Sequence, residues 1–249
     1  MSNEYIVDEI REDVGIITLN RPQTLNTVNE KMLEELAHSI RNFNQHRNIR
    51  VIVLRGIEQA FSAGLDIKAL AADIDNTKTI LQNMQNSFQC LIRSQKPVIA
   101  AVSGFVFGIG CEIALACDII LAADNARFGL PELSVGLLPC FGGSGRLTSR
   151  IGKAKAMDMI LSGKTITADE AEFCGLISRC VTPESLAEES LKLAKRIALL
   201  PEKAVYLAKR IIAETGDSTS SDLEALSALS AIESAEFQQI LQNYTSKNA

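Results

Sequence analysis

The stretch Ser103–Asp124, SGFVFGIGCEIALACDIILAAD, is built almost wholly of apolar and small residues and carries Glu112 near its middle. A glycine-rich turn leads into a helical segment with no polar face, and the β-branched run IILAAD reads as a strand behind it. A carboxylate in such a setting is costly to desolvate. Taken alone, Glu112 reads as an ordinary helix-start acid, favoured there by free amides and the helix dipole.

The same alternation extends in both directions. Upstream, VIAAVSG is a strand after the break at Lys96-Pro97, and IRVIVLRG and VGIITL (Val14–Leu19) are two more. Between them, EKMLEELAHSIRNFNQH places Met32, Leu33, Leu36, Ile40 and Phe43 at helical spacing, and a polar helical stretch runs from about Asp73 to Ser94. Strands alternating with helices predict an α/β fold with a parallel sheet and helical crossovers. Downstream, RFGLPELSVGLLPCFGGSGRL is loop-rich, with two prolines and five glycines in 21 residues. TADE (Thr167–Glu170) fits a capping box ahead of a short helix closed by Gly175. Thr182-Pro183 opens a further helix with proline at its first position. Helical patterns alone follow, with GDSTSSD as a polar break. The domain boundary falls near Ala198: a core over 1–197 and a C-terminal helical region over 198–249.

The chain has 249 residues, 47% of them hydrophobic, and a formal charge of −5. Nothing in that balance favours nucleic acid or an anionic membrane as a partner. No apolar run suits a membrane span, and the N-terminus lacks a signal-peptide layout, so a soluble, cytoplasmic protein is expected. The six cysteines form no C-x-x-C pair and read as reduced structural thiols. His38 and His46, the only histidines, lie in a polar helical stretch, so no metal site is expected. They also stand far from any candidate nucleophile segment, which argues against a serine-protease-like site.

Three segments carry the candidate chemistry: AFSAGLDIKAL (Ala60–Leu70), GFVFGIGCE (Gly104–Glu112) and FGLPELSVGLLPCFGGSGRL (Phe128–Leu147). Glu132, after Pro131, reads alone as a solvated turn acid. Paired with Glu112, 20 residues away and also amid glycine-rich apolar chain, it suits acid–base work, which needs two groups in different protonation states. The turns at Gly64-Leu65 and Gly108-Ile109-Gly110 offer backbone N–H donors, and two of these converging on one oxygen would form an oxyanion hole. Lys68 reads equally as a phosphate contact or a solvated lysine.

These segments, with KPVIAAVSG, NRPQTLNTVN and IGKAKAMDMILSGKTITADEAEFCGLISRCV, resemble the crotonase superfamily of enoyl-CoA hydratases and isomerases over roughly residues 5–200. The resemblance implies a crotonase-like spiral of βαβ units with a C-terminal helical trimerisation region. It implies an acyl-CoA substrate, with no cofactor beyond the coenzyme A of that substrate, and a homotrimer or homohexamer. It places the oxyanion amides at Leu65 and Ile109 and the acid–base pair at Glu112 and Glu132. Ala63, Leu65, Asp66, Ile67, Lys68, Ile109, Pro139 and Cys140 are the implied substrate contacts. The expected reaction is hydration of a trans-2-enoyl-CoA. A 3,2-enoyl-CoA isomerase and a non-catalytic acyl-CoA-binding scaffold are the alternatives. The sequence departs from the pattern at four points. A branched side chain stands at Ile109, which a positive φ would not tolerate. Cys140 stands where glycine is common, Gln23 where lysine is common, and the C-terminus lacks the usual basic run.

Overall fold

The computed structural model describes residues 4–214 together with Ala235 and Gln239. In chain order its strands are β1 (Ile6–Arg11), β2 (Val14–Leu19), β3 (Val51–Arg55), β4 (Ala60–Ser62), β5 (Val98–Val102), β6 (Phe105–Phe107), β7 (Ile119–Ala123), β8 (Arg127–Gly129), β9 (Ile166–Thr167) and β10 (Arg179–Val181). The helices are α1 (Glu30–Gln45), α2 (Ile67–Ala71), α3 (Thr77–Ile92), α4 (Ile109–Ala116), α5 (Gly143–Ser162), α6 (Ala168–Phe173), α7 (Pro183–Ala198) and α8 (Glu202–Glu214).

Two sheets form, in the orders β1-β2-β3-β5-β7-β10 and β4-β6-β8-β9. Pairing is parallel except at β1–β2 and β8–β9. The central strands read VIVLR, VIAAV and IILAA because both of their faces are covered. The two-residue period divides them cleanly. Ile52, Leu54, Val98, Ala100, Ile120 and Ala122 enter the larger core, while Val51, Val53, Ile99, Ala101, Leu121 and Ala123 pack with Leu186, Ala194 and Ala198 of α7. Three times the chain passes from a strand of the first sheet to a short strand of the second: β3 then β4, β5 then β6, β7 then β8. This is the expected α/β spiral, and its turns bring the βα loops of the second sheet to one side.

Side-chain caps and a proline fix several helix starts. The Asn29 side chain accepts from Met32 N–H at 3.0 Å and caps α1. Thr167 and Glu170 complete a reciprocal capping box at α6. Pro183 opens α7. The expected helix over 73–94 begins later, at Thr77, after the separate helix α2. Asp73 and Asn76 bond each other's side chains at 2.9 Å in a tight turn, and such short polar groups compete with helical bonding.

Leu199–Pro201 separates α7 from α8. Helix α8 docks on the sheet core: Lys209 Nζ lies 2.9 Å from both Asp118 Oδ2 and the Lys96 carbonyl. Apart from Ala235 and Gln239, the rest of the expected C-terminal region, including LEALSALSAI, lies outside the described residues. Among the described residues, no helix is long and apolar enough to cross a membrane.

Candidate active site

Strand β4 ends at Ser62 and the chain turns through Ala63 and Gly64. Val28 N–H donates to the Gly64 carbonyl at 2.8 Å, and Asp66 N–H donates to the Val28 carbonyl at 2.9 Å. Leu65 lies between these two bonds, so its own N–H points to the opposite side. The loop bearing Val28 is itself fixed by Asn26. This buried side chain donates to the carbonyls of Leu19, Ala60 and Phe61 and accepts from Arg21 N–H at 2.7 Å.

Beside that turn, β6 runs into α4 through Gly108, whose φ of 52° and ψ of −129° suit glycine and little else. The branched residue is therefore spared: Ile109 has no positive φ, and its side chain is buried in the core. The geometry thus removes the objection raised by the side chain at this position. A Cβ on Gly110 would lie 2.6 Å from Ser62 Cβ and 2.8 Å from Ser62 O, so only glycine lets α4 press this closely on β4. Gly64 Cα lies 3.5 Å from where a Gly108 Cβ would stand, so the two turns touch. Among the described residues, neither the Leu65 nor the Ile109 N–H meets a protein acceptor.

Leu65 and Ile109 both line one cavity of about 200 Å³, together with Glu112 and Glu132. Glu112 is 1% exposed, and its Oε1 accepts from Phe141 N–H and Gly143 N–H, each at 2.8 Å. Gly143 is the first residue of α5, so the carboxylate also sits at a helix N-terminus. Burial raises the Glu112 pKa, and the two amides and the Arg146 charge oppose that rise. Glu132 opens a short 3-10 turn directly after Pro131. Both of its carboxylate oxygens are buried without a hydrogen-bond partner. Burial, against the pull of its own backbone amide and with a further contribution from the Glu112 charge, pushes its pKa up to about 7. One acid is thus held by donors and the other is left unsatisfied, which is how an environment separates two similar groups.

Of the other expected contacts, Ala63, Ile67 and Cys140 line this cavity, and Asp66, Lys68 and Pro139 do not. The Asp66 carboxylate is committed elsewhere. It pairs with Arg21 Nη1 at 2.7 Å, both side chains being nearly covered, and it caps α2 through Ala69 N–H. Lys68 is exposed on α2. Burial pushes the Cys140 thiol up to about 11, aided by the charges of Glu112 and Glu132, so the side chain is neutral at physiological pH. The sequence reading missed the amides of Phe141 and Gly143 that hold Glu112. Their signal is the glycine run after Cys140, since a Cβ on Gly143 would lie 2.6 Å from Glu112 Cγ. Among the described residues, no cluster of His, Cys, Asp and Glu suits a metal ion.

A two-sheet spiral whose glycine turns and two acids border one cavity is the architecture of a crotonase-fold protein. The chain belongs to the enoyl-CoA hydratase/isomerase family, whose profile matches residues 9–248. A Rhizobium meliloti protein named "Probable enoyl-CoA hydratase" is 45% identical over 85% of this chain and 82% of its own length. The 2,3-dehydroadipyl-CoA hydratase of Escherichia coli K12 is 37% identical over 86% of this chain and 83% of its own length. The crystal structure of the enoyl-CoA hydratase from Bacillus anthracis superposes with a TM-score of 0.93 at 32% identity, covering 98% of this chain and 97% of that one.

Proposed function

We propose that the protein is an enoyl-CoA hydratase, a hydro-lyase that adds water across the 2,3 double bond of a trans-2-enoyl-CoA to give the 3-hydroxyacyl-CoA. The observation that supports this reading is the pair of acids with unequal hydrogen-bond support lining one cavity with Leu65 and Ile109, whose amides have no protein acceptor among the described residues. The thioester oxygen accepts from Leu65 N–H and Ile109 N–H. Glu112, whose two amide donors counter the upward push of burial on its pKa, takes a proton from water as the oxygen bonds to Cβ. The π electrons move into the thioester carbonyl, and the amides hold the developing enolate. Glu132, near half-protonation at pH 7, gives a proton to Cα, and the carbonyl re-forms. A lost oxyanion donor typically costs about 3–4 kcal/mol of barrier. A positioned acid or base is typically worth ~10²–10⁴-fold.

Coenzyme A enters as part of the substrate, and no step calls on a metal or redox cofactor. Glu132 alone, unpartnered and near half-protonation, would also serve a 3,2-isomerase as a proton shuttle. The two amides fixing Glu112 favour hydration, since an isomerase acting through one acid has no need of a second held so firmly. Loss of crotonyl-CoA absorbance with purified protein, compared with Glu112→Gln and Glu132→Gln, tests the reading. Full activity in both variants would overturn it, and conversion of a 3-enoyl-CoA without hydration would favour the isomerase. A homotrimer or homohexamer is part of this proposal. The exposed Leu161, Phe173 and Leu199 support it, and sedimentation would test it.

A further inference from the structure

Part of the cavity wall has no role in that chemistry. Leu81, Leu137 and Phe141 are apolar, and Val135 and Leu138 stand at an exposed edge. The Phe141 ring is buried and packs on Phe88, their centroids 5.3 Å apart at 42°. The Arg146 guanidinium lies 5.6 Å from the Phe88 ring centre, and its Nη1 donates to the Phe141 carbonyl at 2.6 Å. Ring and backbone of Phe141 are therefore both fixed. Leu81 comes from α3, and the same helix is tied to the Phe141 loop where Gln85 Nε2 donates to the Cys140 carbonyl at 2.9 Å.

We propose that Leu81 and Phe141 are the stop of the acyl subsite, that Gln85 is the residue positioning that stop, and that the substrate class is short, uncharged acyl chains of about four to six carbons. This rests on the hydratase reading. The size follows from the cavity. An apolar cavity of ~150 Å³ holds a benzene, so about 200 Å³ holds roughly eight heavy atoms. The thioester carbon, oxygen and sulfur take three of these and leave about five further carbons. The absence of charge follows from the lining. It offers two acids and no lysine or arginine, so an acyl chain ending in a carboxylate would be desolvated beside like charge. In this respect the subsite differs from what the E. coli relative's named substrate, 2,3-dehydroadipyl-CoA, requires.

Calorimetric binding of butyryl-, hexanoyl-, decanoyl- and adipyl-CoA to the full-length protein tests the stop without needing turnover. Without a stop, each added methylene would tighten binding about fourfold. The expected result is that decanoyl- and adipyl-CoA bind at least ~10-fold more weakly than hexanoyl-CoA. Leu81→Ala should bring decanoyl-CoA to within a few-fold of hexanoyl-CoA, and Leu81→Phe should weaken hexanoyl-CoA relative to butyryl-CoA. Gln85→Met should raise the decanoyl-to-hexanoyl affinity ratio, a quantity that a purely structural role would leave unmoved. Decanoyl-CoA binding as tightly as hexanoyl-CoA in the unaltered protein would overturn the proposal and place the chain across Val135 and Leu138. Ratios unchanged in both Leu81 variants would also overturn it. Chain-length selection in binding without hydration of any enoyl-CoA would leave the stop standing and remove the hydratase reading.

Discussion

Replacing Glu132 by glutamine tests the electrostatics of the site apart from its chemistry. The two side chains are nearly isosteric, and Glu132 makes no hydrogen bond that the substitution would break. Burial and the Glu112 charge move its pKa from an ordinary 4.5 to about 7 in the folded protein. The folded state therefore keeps a proton that the unfolded chain releases above pH 4.5. The stability tied to that proton is fully present below about 4.5 and is lost as pH rises through 7. Taken at face value, the shift corresponds to at most about 3 kcal/mol; Glu132 as a whole is only half-buried, and solvent screening reduces this to about 1–2 kcal/mol. Urea denaturation at pH 4.5 and pH 8.5 reads the difference. Glu132→Gln should match the unaltered protein at the lower pH and exceed it by about 1–2 kcal/mol at the higher, while hydration falls ~10²–10⁴-fold. A variant no more stable than the parent at pH 8.5 would refute the buried, unsatisfied carboxylate.

Gly110→Ala forces a Cβ within 2.6 Å of Ser62 Cβ and 2.8 Å of its carbonyl oxygen, so α4 must shift. A loss of about 1–3 kcal/mol in urea stability, with a fall in hydration kcat as the Ile109 amide moves, is expected; unchanged values would contradict the packing. Arg21→Leu leaves the Asp66 carboxylate without its ion partner under nearly complete cover and should cost about 3 kcal/mol by the same denaturation assay, an outcome that a neutral result would exclude. Cys140, with its thiol pushed up to about 11, should react with iodoacetamide at pH 8 at least ~100-fold more slowly than free cysteine, because the thiolate is the nucleophile. Rapid labelling of that residue by site-resolved mass spectrometry would show that its surroundings have been misread.

Much of the first sheet was legible because its strands are buried on both faces and read as unbroken β-branched runs. Strands β4, β6, β8 and β9 have two or three residues each, too few for a period to show. Strand β1 escaped because its pattern is mixed: IVDEIR buries Ile6 and exposes Val7 and Ile10 at a sheet edge. That Leu65, Ile109, Glu112 and Glu132 share one cavity was legible through the glycine motifs, which the geometry uses for a forbidden dihedral at Gly108 and a close approach at Gly110. What holds Glu112 was not legible, since backbone amides leave no mark of their own in a sequence. The partner of the Asp66 side chain was not legible either: its neighbours Leu65 and Ile67 line the cavity, but it pairs with Arg21, 45 positions away in the chain.

The central claim is that the Leu65 and Ile109 amides grip a thioester oxygen over the two acids. Isotope-edited infrared spectroscopy of a carbonyl-labelled, slowly reacting enoyl-CoA bound to Glu132→Gln reads that grip directly. A carbonyl stretch shifted to lower frequency than in free ligand is the predicted result, because two N–H donors polarise the bond. An unshifted stretch from fully bound ligand would contradict the account.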